Sequence, residues 1–98
     1  MSMDTTTITL HTADGVALSQ ERVRDTVIAA AGALAERFGL EVVEMGADAG
    51  ALTVTLGADE VTCVGFAAEL RRNTNAWYEG KYRAGALWRG PKEDDSAG

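Results

Sequence analysis

Residues 40–57 read LEVVEMGADAGALTVTLG, and this stretch decides the fold. In its second half Leu52, Val54 and Leu56 alternate with Thr53 and Thr55. A period of two with β-branched residues marks a half-buried strand, here over 51–57. The first half, 40–46, is a second strand with a less regular alternation, because Val42 and Val43 are adjacent. That irregularity predicts a sheet edge or a bulge. Gly46, Asp48 and Gly50 mark the hairpin loop between the two.

Upstream, Val23, Val27, Ala30, Ala31, Leu34 and Phe38 fall on one stripe at helical spacing, predicting a helix over 19–38. Ser19 is the expected N-cap, and Glu21 suits the positive end of the helix dipole. Leu18 and Val23 have the spacing of a hydrophobic staple, and Gly39 stands where helices end in the left-handed conformation. Before the helix, residues 5–12 alternate strictly: Ile8 and Leu10 face one way, Thr7, Thr9 and His11 the other. Asp14-Gly15 ends that strand as a turn.

Downstream, Asp59 caps a second helix over 60–79. Cys63, Phe66, Ala67, Leu70, Thr74 and Trp77 line its core face, while Val61, Val64 and Ala68 make a smaller apolar strip opposite. A helix apolar on two sides is expected to be covered on both, the second cover being a loop of the same chain or another subunit. Gly80, Gly85, Gly90 and Pro91 interrupt regular structure after 79.

The order strand, helix, strand, strand, helix predicts an α+β two-layer sandwich, β-α-β-β-α. The expected sheet is three-stranded and mixed, with both helices on one face: a ferredoxin-like topology that lacks or shortens its last strand. Residues 86–89 are the candidate for that strand. Without it, strand 5–12 has an unpaired edge, and the edge together with the second apolar strip predicts a homodimer. The expected organisation is a single domain over 1–91 with a disordered acidic tail over 92–98.

The net charge of −6 argues against broad non-specific nucleic-acid binding. It also hides a gradient. Residues 1–70 carry three arginines against eleven acids, and residues 71–92 carry six bases against Glu79 alone. The same C-terminal segment holds Trp77, Tyr78, Tyr82 and Trp88, four of the six aromatics. One cysteine, Cys63, permits no intramolecular disulfide and leaves too few ligands for a cysteine zinc site. The N-terminus lacks both the basic and the apolar part of a signal peptide, and the longest aliphatic run is far too short to span a bilayer, so a cytoplasmic protein without a membrane segment is expected.

No phosphate-binding glycine loop is present. His11 is the only histidine, and no cysteine or second histidine accompanies it in sequence. Glu41 and Glu44 lie on one short strand at positions of opposite parity and do not pair. No catalytic, cofactor-binding or metal-binding residue is therefore assigned.

What remains is the interleaving of rings and cations, the composition enriched where partners bury surface. It predicts a partner-binding surface on Arg72, Tyr78, Lys81, Tyr82, Arg83, Trp88 and Arg89, suited to an acidic protein. The competing use of the two tryptophans is to cap the core, with arginine stems packed over them. The expected function is a non-enzymatic binding or assembly module. Its rivals are an RNA- or nucleotide-binding accessory protein and a small dimeric enzyme with its site between subunits.

Overall fold

The computed structural model describes residues 4–83 and 85–89. Three strands, β1 (Thr6–His11), β2 (Val42–Ala47) and β3 (Ala51–Leu56), form a sheet in the order β1-β3-β2. Two helices, α1 (Glu21–Phe38) and α2 (Glu60–Tyr82), cover one of its faces. β3 lies in the centre, antiparallel to both neighbours, so the sheet is wholly antiparallel. This corrects the mixed sheet expected from sequence. The α1 crossover places β2 one strand away from β1, and the tight hairpin folds β3 back into the gap, so the two parallel strands never pair.

Register puts Ile8 opposite Val54 and Leu10 opposite Leu52, with Met45 and Ala47 on the other side of the same two β3 residues. Leu10, Leu52, Val54 and Leu56 are fully buried against Val23, Val27 and Leu34 of α1 and Cys63, Phe66 and Leu70 of α2. On the opposite face threonines oppose one another, and the hydroxyls of Thr7 and Thr55 hydrogen-bond at 2.8 Å. β2 is an edge strand and also carries a register shift between Val42 and Glu44, which leaves Val43 exposed.

α1 starts two residues later than its expected cap. Asp14 is the residue that organises the entry: its carboxylate accepts the N–H groups of Val16 and Ala17 at 2.9 and 2.8 Å, and a 3-10 turn over Ala17–Ser19 follows. Ser19 spends its hydroxyl on the Val16 carbonyl and caps nothing. Leu18 and Val23 are both buried, but with Gln20 as the N-cap they stand at N″ and N3, one position off the staple expected with Ser19 as cap. Gly39 takes the left-handed conformation (φ 71°), and the Leu40 N–H reaches back to the Ala35 carbonyl at 2.8 Å.

α2 is capped by Asp59, whose carboxylate accepts the Thr62 N–H at 2.8 Å. The helix runs through Gly80 to Tyr82, past its expected end. Aromatic contacts hold the added turn: Tyr78 and Tyr82, four residues apart, lie 5.0 Å between ring centroids, and Trp77 meets Tyr82 edge-on at 5.8 Å. Arg83, left-handed at φ 53°, ends the helix with its N–H on the Glu79 carbonyl.

Two loops lock the sheet end that faces the C-terminal segment. The Thr12 N–H bonds the Gly50 carbonyl at 2.9 Å, and the Leu18 N–H bonds the Ala49 carbonyl at 3.0 Å. The approach is so close that a Cβ on Gly50 would stand 2.6 Å from the Gly15 carbonyl oxygen. Beyond α2 the chain returns to β1. The Ala13 N–H bonds the Leu87 carbonyl at 2.8 Å and the Arg89 N–H bonds the His11 carbonyl at 2.9 Å, with Thr12 and Trp88 opposed antiparallel. Among the described residues the fourth strand is thus a single bridge at the end of β1. The tail expected over 92–98 lies outside the described residues. No helix among them is long and apolar enough to cross a membrane.

A basic groove and an aromatic cluster at the end of the second helix

The segment 85–89 is placed by two side chains of α2, Asn75 and Thr74. Asn75, on α2, accepts the N–H groups of Leu87 and Trp88 on its side-chain oxygen at 2.9 and 3.1 Å. One residue earlier, the Thr74 hydroxyl accepts the indole N–H of Trp88 at 2.6 Å and donates to the Leu70 carbonyl at 2.6 Å. Trp88 is 2 % exposed and Leu87 1 %. The expectation that Trp88 presents its ring outward is therefore corrected. A tryptophan enters a core where its N–H finds an acceptor, and Thr74 supplies one within the apolar interior.

With Trp88 as the lid, the neighbouring cations come together. Arg71, Arg72 and Asn75 of α2 and Arg89 of the returning segment line one open groove of about 420 Å³. Ala68, Ala86 and Trp88 form its remaining wall. Arg72 is exposed and paired with Glu69 one turn before it; Arg71 is half-buried. On the other side of the returning segment a smaller hollow of about 230 Å³ lies between Asp14, Tyr78 and Ala86. Tyr78 and Tyr82 are half-buried and touch Trp77, tilted and edge-on respectively, while Lys81 and Arg83 are exposed on the last turn of α2 and its cap.

The seven residues expected at the surface thus separate into groups. Arg72 and Arg89 share the groove, Tyr78 and Tyr82 share the aromatic cluster, Lys81 and Arg83 flank that cluster in sequence, and Trp88 is interior. Two groove residues, Arg71 and Asn75, were not among the seven. The signal for Asn75 is its position: asparagine is a poor helix former, and one in the middle of a long helix has a hydrogen-bonding reason to be there.

Elsewhere the chemistry is plain. His11 stands on the threonine face at the end of β1, where its backbone carbonyl receives Arg89. Cys63 is a buried free thiol. Among the described residues no three histidine, cysteine, aspartate or glutamate side chains gather as metal ligands would. The Asp59 carboxyl is held below its ordinary value by hydrogen bonds from the Thr62 side chain first and the Thr62 backbone N–H second, which is cap chemistry. No protein-family model matches the chain and no curated protein matches it, so its own residues carry the functional argument.

Proposed function

We propose that the chain is a non-enzymatic binding or assembly module that docks an acidic protein partner on the C-terminal end of α2 and the segment 85–89. The observation that carries this reading is the convergence of Arg71, Arg72 and Arg89 on one open groove, in a chain whose 15 acids outnumber its 9 bases. Guanidinium groups are planar donors that match carboxylates, and their apolar stems tolerate burial by a partner. The exposed Ala68 and Ala86 add apolar contact, and the half-exposed Tyr78 and Tyr82 supply the rings typical of contact surfaces. An open groove rimmed by guanidinium groups suits extended acidic side chains better than an enclosed substrate.

The reading includes a ferredoxin-like topology with a shortened last strand, and residence in a reducing cytoplasm where the single buried thiol stays unpaired. An RNA platform would need aromatics on the open sheet face, which carries threonines instead. The test is comparative capture from the source cell with the native chain and with an Arg72→Glu/Arg89→Glu variant whose circular dichroism is unchanged. An acidic protein retained by the native chain and released by the variant is the expected result. Equal retention by both overturns the reading.

A further inference from the structure

The basic groove stands beside an acidic stretch of its own chain. Arg89 lines the groove, and Glu93-Asp94-Asp95, the longest run of acids in the sequence, begins four residues later. Those four residues span at most ~14 Å when extended. The groove follows α2 from Ala68 to Asn75, a length of about 10 Å. The three carboxylates can therefore reach any part of it.

The sheet edge offers the same stretch no alternative. The Ala13 N–H on the Leu87 carbonyl and the Arg89 N–H on the His11 carbonyl fix the antiparallel register of 85–89 against β1. In that register the next donor, to the Thr9 carbonyl, is due from residue 91, which is proline. Proline has no N–H to give, so the ladder along β1 stops there.

We infer that Glu93, Asp94 and Asp95 dock in the groove of their own chain and compete there with the acidic partner. Charge and tethering select this occupant. Arg72 is paired with Glu69, so the contact is assigned to Arg71 and Arg89, whose planar donors match carboxylates. A segment attached this closely meets the groove at roughly millimolar effective concentration. A partner displaces it only by adding contacts that three carboxylates lack, such as those to Tyr78 and Tyr82. The competition rests on the partner reading above; the docking itself does not.

Two measurements on the full chain test this. The first compares the arginine Nε–Hε NMR signals of the native chain with those of Glu93→Gln/Asp94→Asn/Asp95→Asn. The Arg71 and Arg89 signals should shift in the variant, while those of Arg22, Arg24 and Arg37 stay in place. Raising salt to about 0.5 M should bring the native signals towards the variant's. Superposable Arg71 and Arg89 signals in the two chains overturn the inference. The second is fluorescence anisotropy with a labelled hexaglutamate peptide as probe. The triple variant should bind it about threefold more tightly than the native chain, because its groove is no longer partly occupied. Glu36→Gln/Glu41→Gln/Glu44→Gln controls for net charge. It removes the same charge beside the Leu56 end of β3, where Glu44 pairs with Thr55 and the Glu41 carbonyl receives the Gly57 N–H, and it should tighten binding far less. Equal tightening by both triple variants reduces the effect to net charge and overturns the inference. If no chain binds the probe, the partner reading fails, and the arginine signals still decide whether the acids dock.

Discussion

Thr74 and Trp88 are joined through a single buried oxygen. The indole N–H donates to the threonine hydroxyl at 2.6 Å, and that hydroxyl donates in turn to the Leu70 carbonyl. Thr74→Val keeps the shape and removes the acceptor, leaving the indole N–H desolvated and unmet. The expected loss is ~1–3 kcal/mol of unfolding free energy. Thr74→Ser should recover most of it. Urea unfolding followed by tryptophan fluorescence measures both, and a valine variant as stable as the native chain would show that the bond contributes nothing.

Asn75 ties down the same segment from its backbone side. Asn75→Ala removes the acceptor of two amides at once. Hydrogen exchange at Leu87 and Trp88 should accelerate by roughly tenfold or more, for a local loss of about 1–2 kcal/mol, while exchange in β3 stays unchanged. Asn75→Asp retains an acceptor and should protect both amides. Acceleration spread evenly over the whole chain would mean that the segment opens only with global unfolding.

Gly50 is where the hairpin loop meets the turn after β1. A methyl group there collides with the Gly15 carbonyl oxygen, so Gly50→Ala should cost ~1–3 kcal/mol as loop and turn are forced apart. Gly46→Ala, four residues earlier, meets open space and should be close to neutral. Equal melting temperatures for the two variants would contradict the close approach.

Asp59 links stability to acid. Its folded-state value lies below the ordinary 3.8, so the cap favours the folded chain above that pH and the favour is lost as pH falls through the folded value. Asp59→Ala should therefore lower the melting temperature at pH 7, and the gap to the native chain should narrow as pH falls through the folded-state value. A gap of constant size across the acid range would separate the cap from the carboxylate's charge.

These residues also show what periodicity conveys. The α1 stripe from Val23 to Leu34, the buried alternation of β3, the Asp59 cap and the Gly39 terminus depend on neighbours in sequence, and each stands where local pattern puts it; Phe38, at the end of the stripe, is 42 % exposed. The sense of strand pairing does not, because periodicity identifies a strand without naming its neighbour. The role of Ser19 was displaced by Asp14, whose shorter loop to the Val16 and Ala17 amides takes over the entry to α1. Trp88 was the costliest misplacement. Its interior position depends on Thr74 and Asn75, twelve or more residues away in sequence, and no local rule connects them. The cationic groove was visible as composition; which arginines share it was decided by the return of 85–89 across α2.

The bridge between Thr12 and Trp88 has a consequence for biosynthesis. During translation β1 leaves the ribosome long before Trp88, and its flank is sealed only when segment 85–89 follows. A nascent chain stopped after Tyr82 has its helices and its hairpin, yet it leaves the Thr74 hydroxyl and the backbone around Thr12 without the tryptophan that covers them. Segment 85–89 thus completes the flank of β1, and a chaperone or protease that senses that uncovered flank can tell a chain that has not reached Trp88 from one that has.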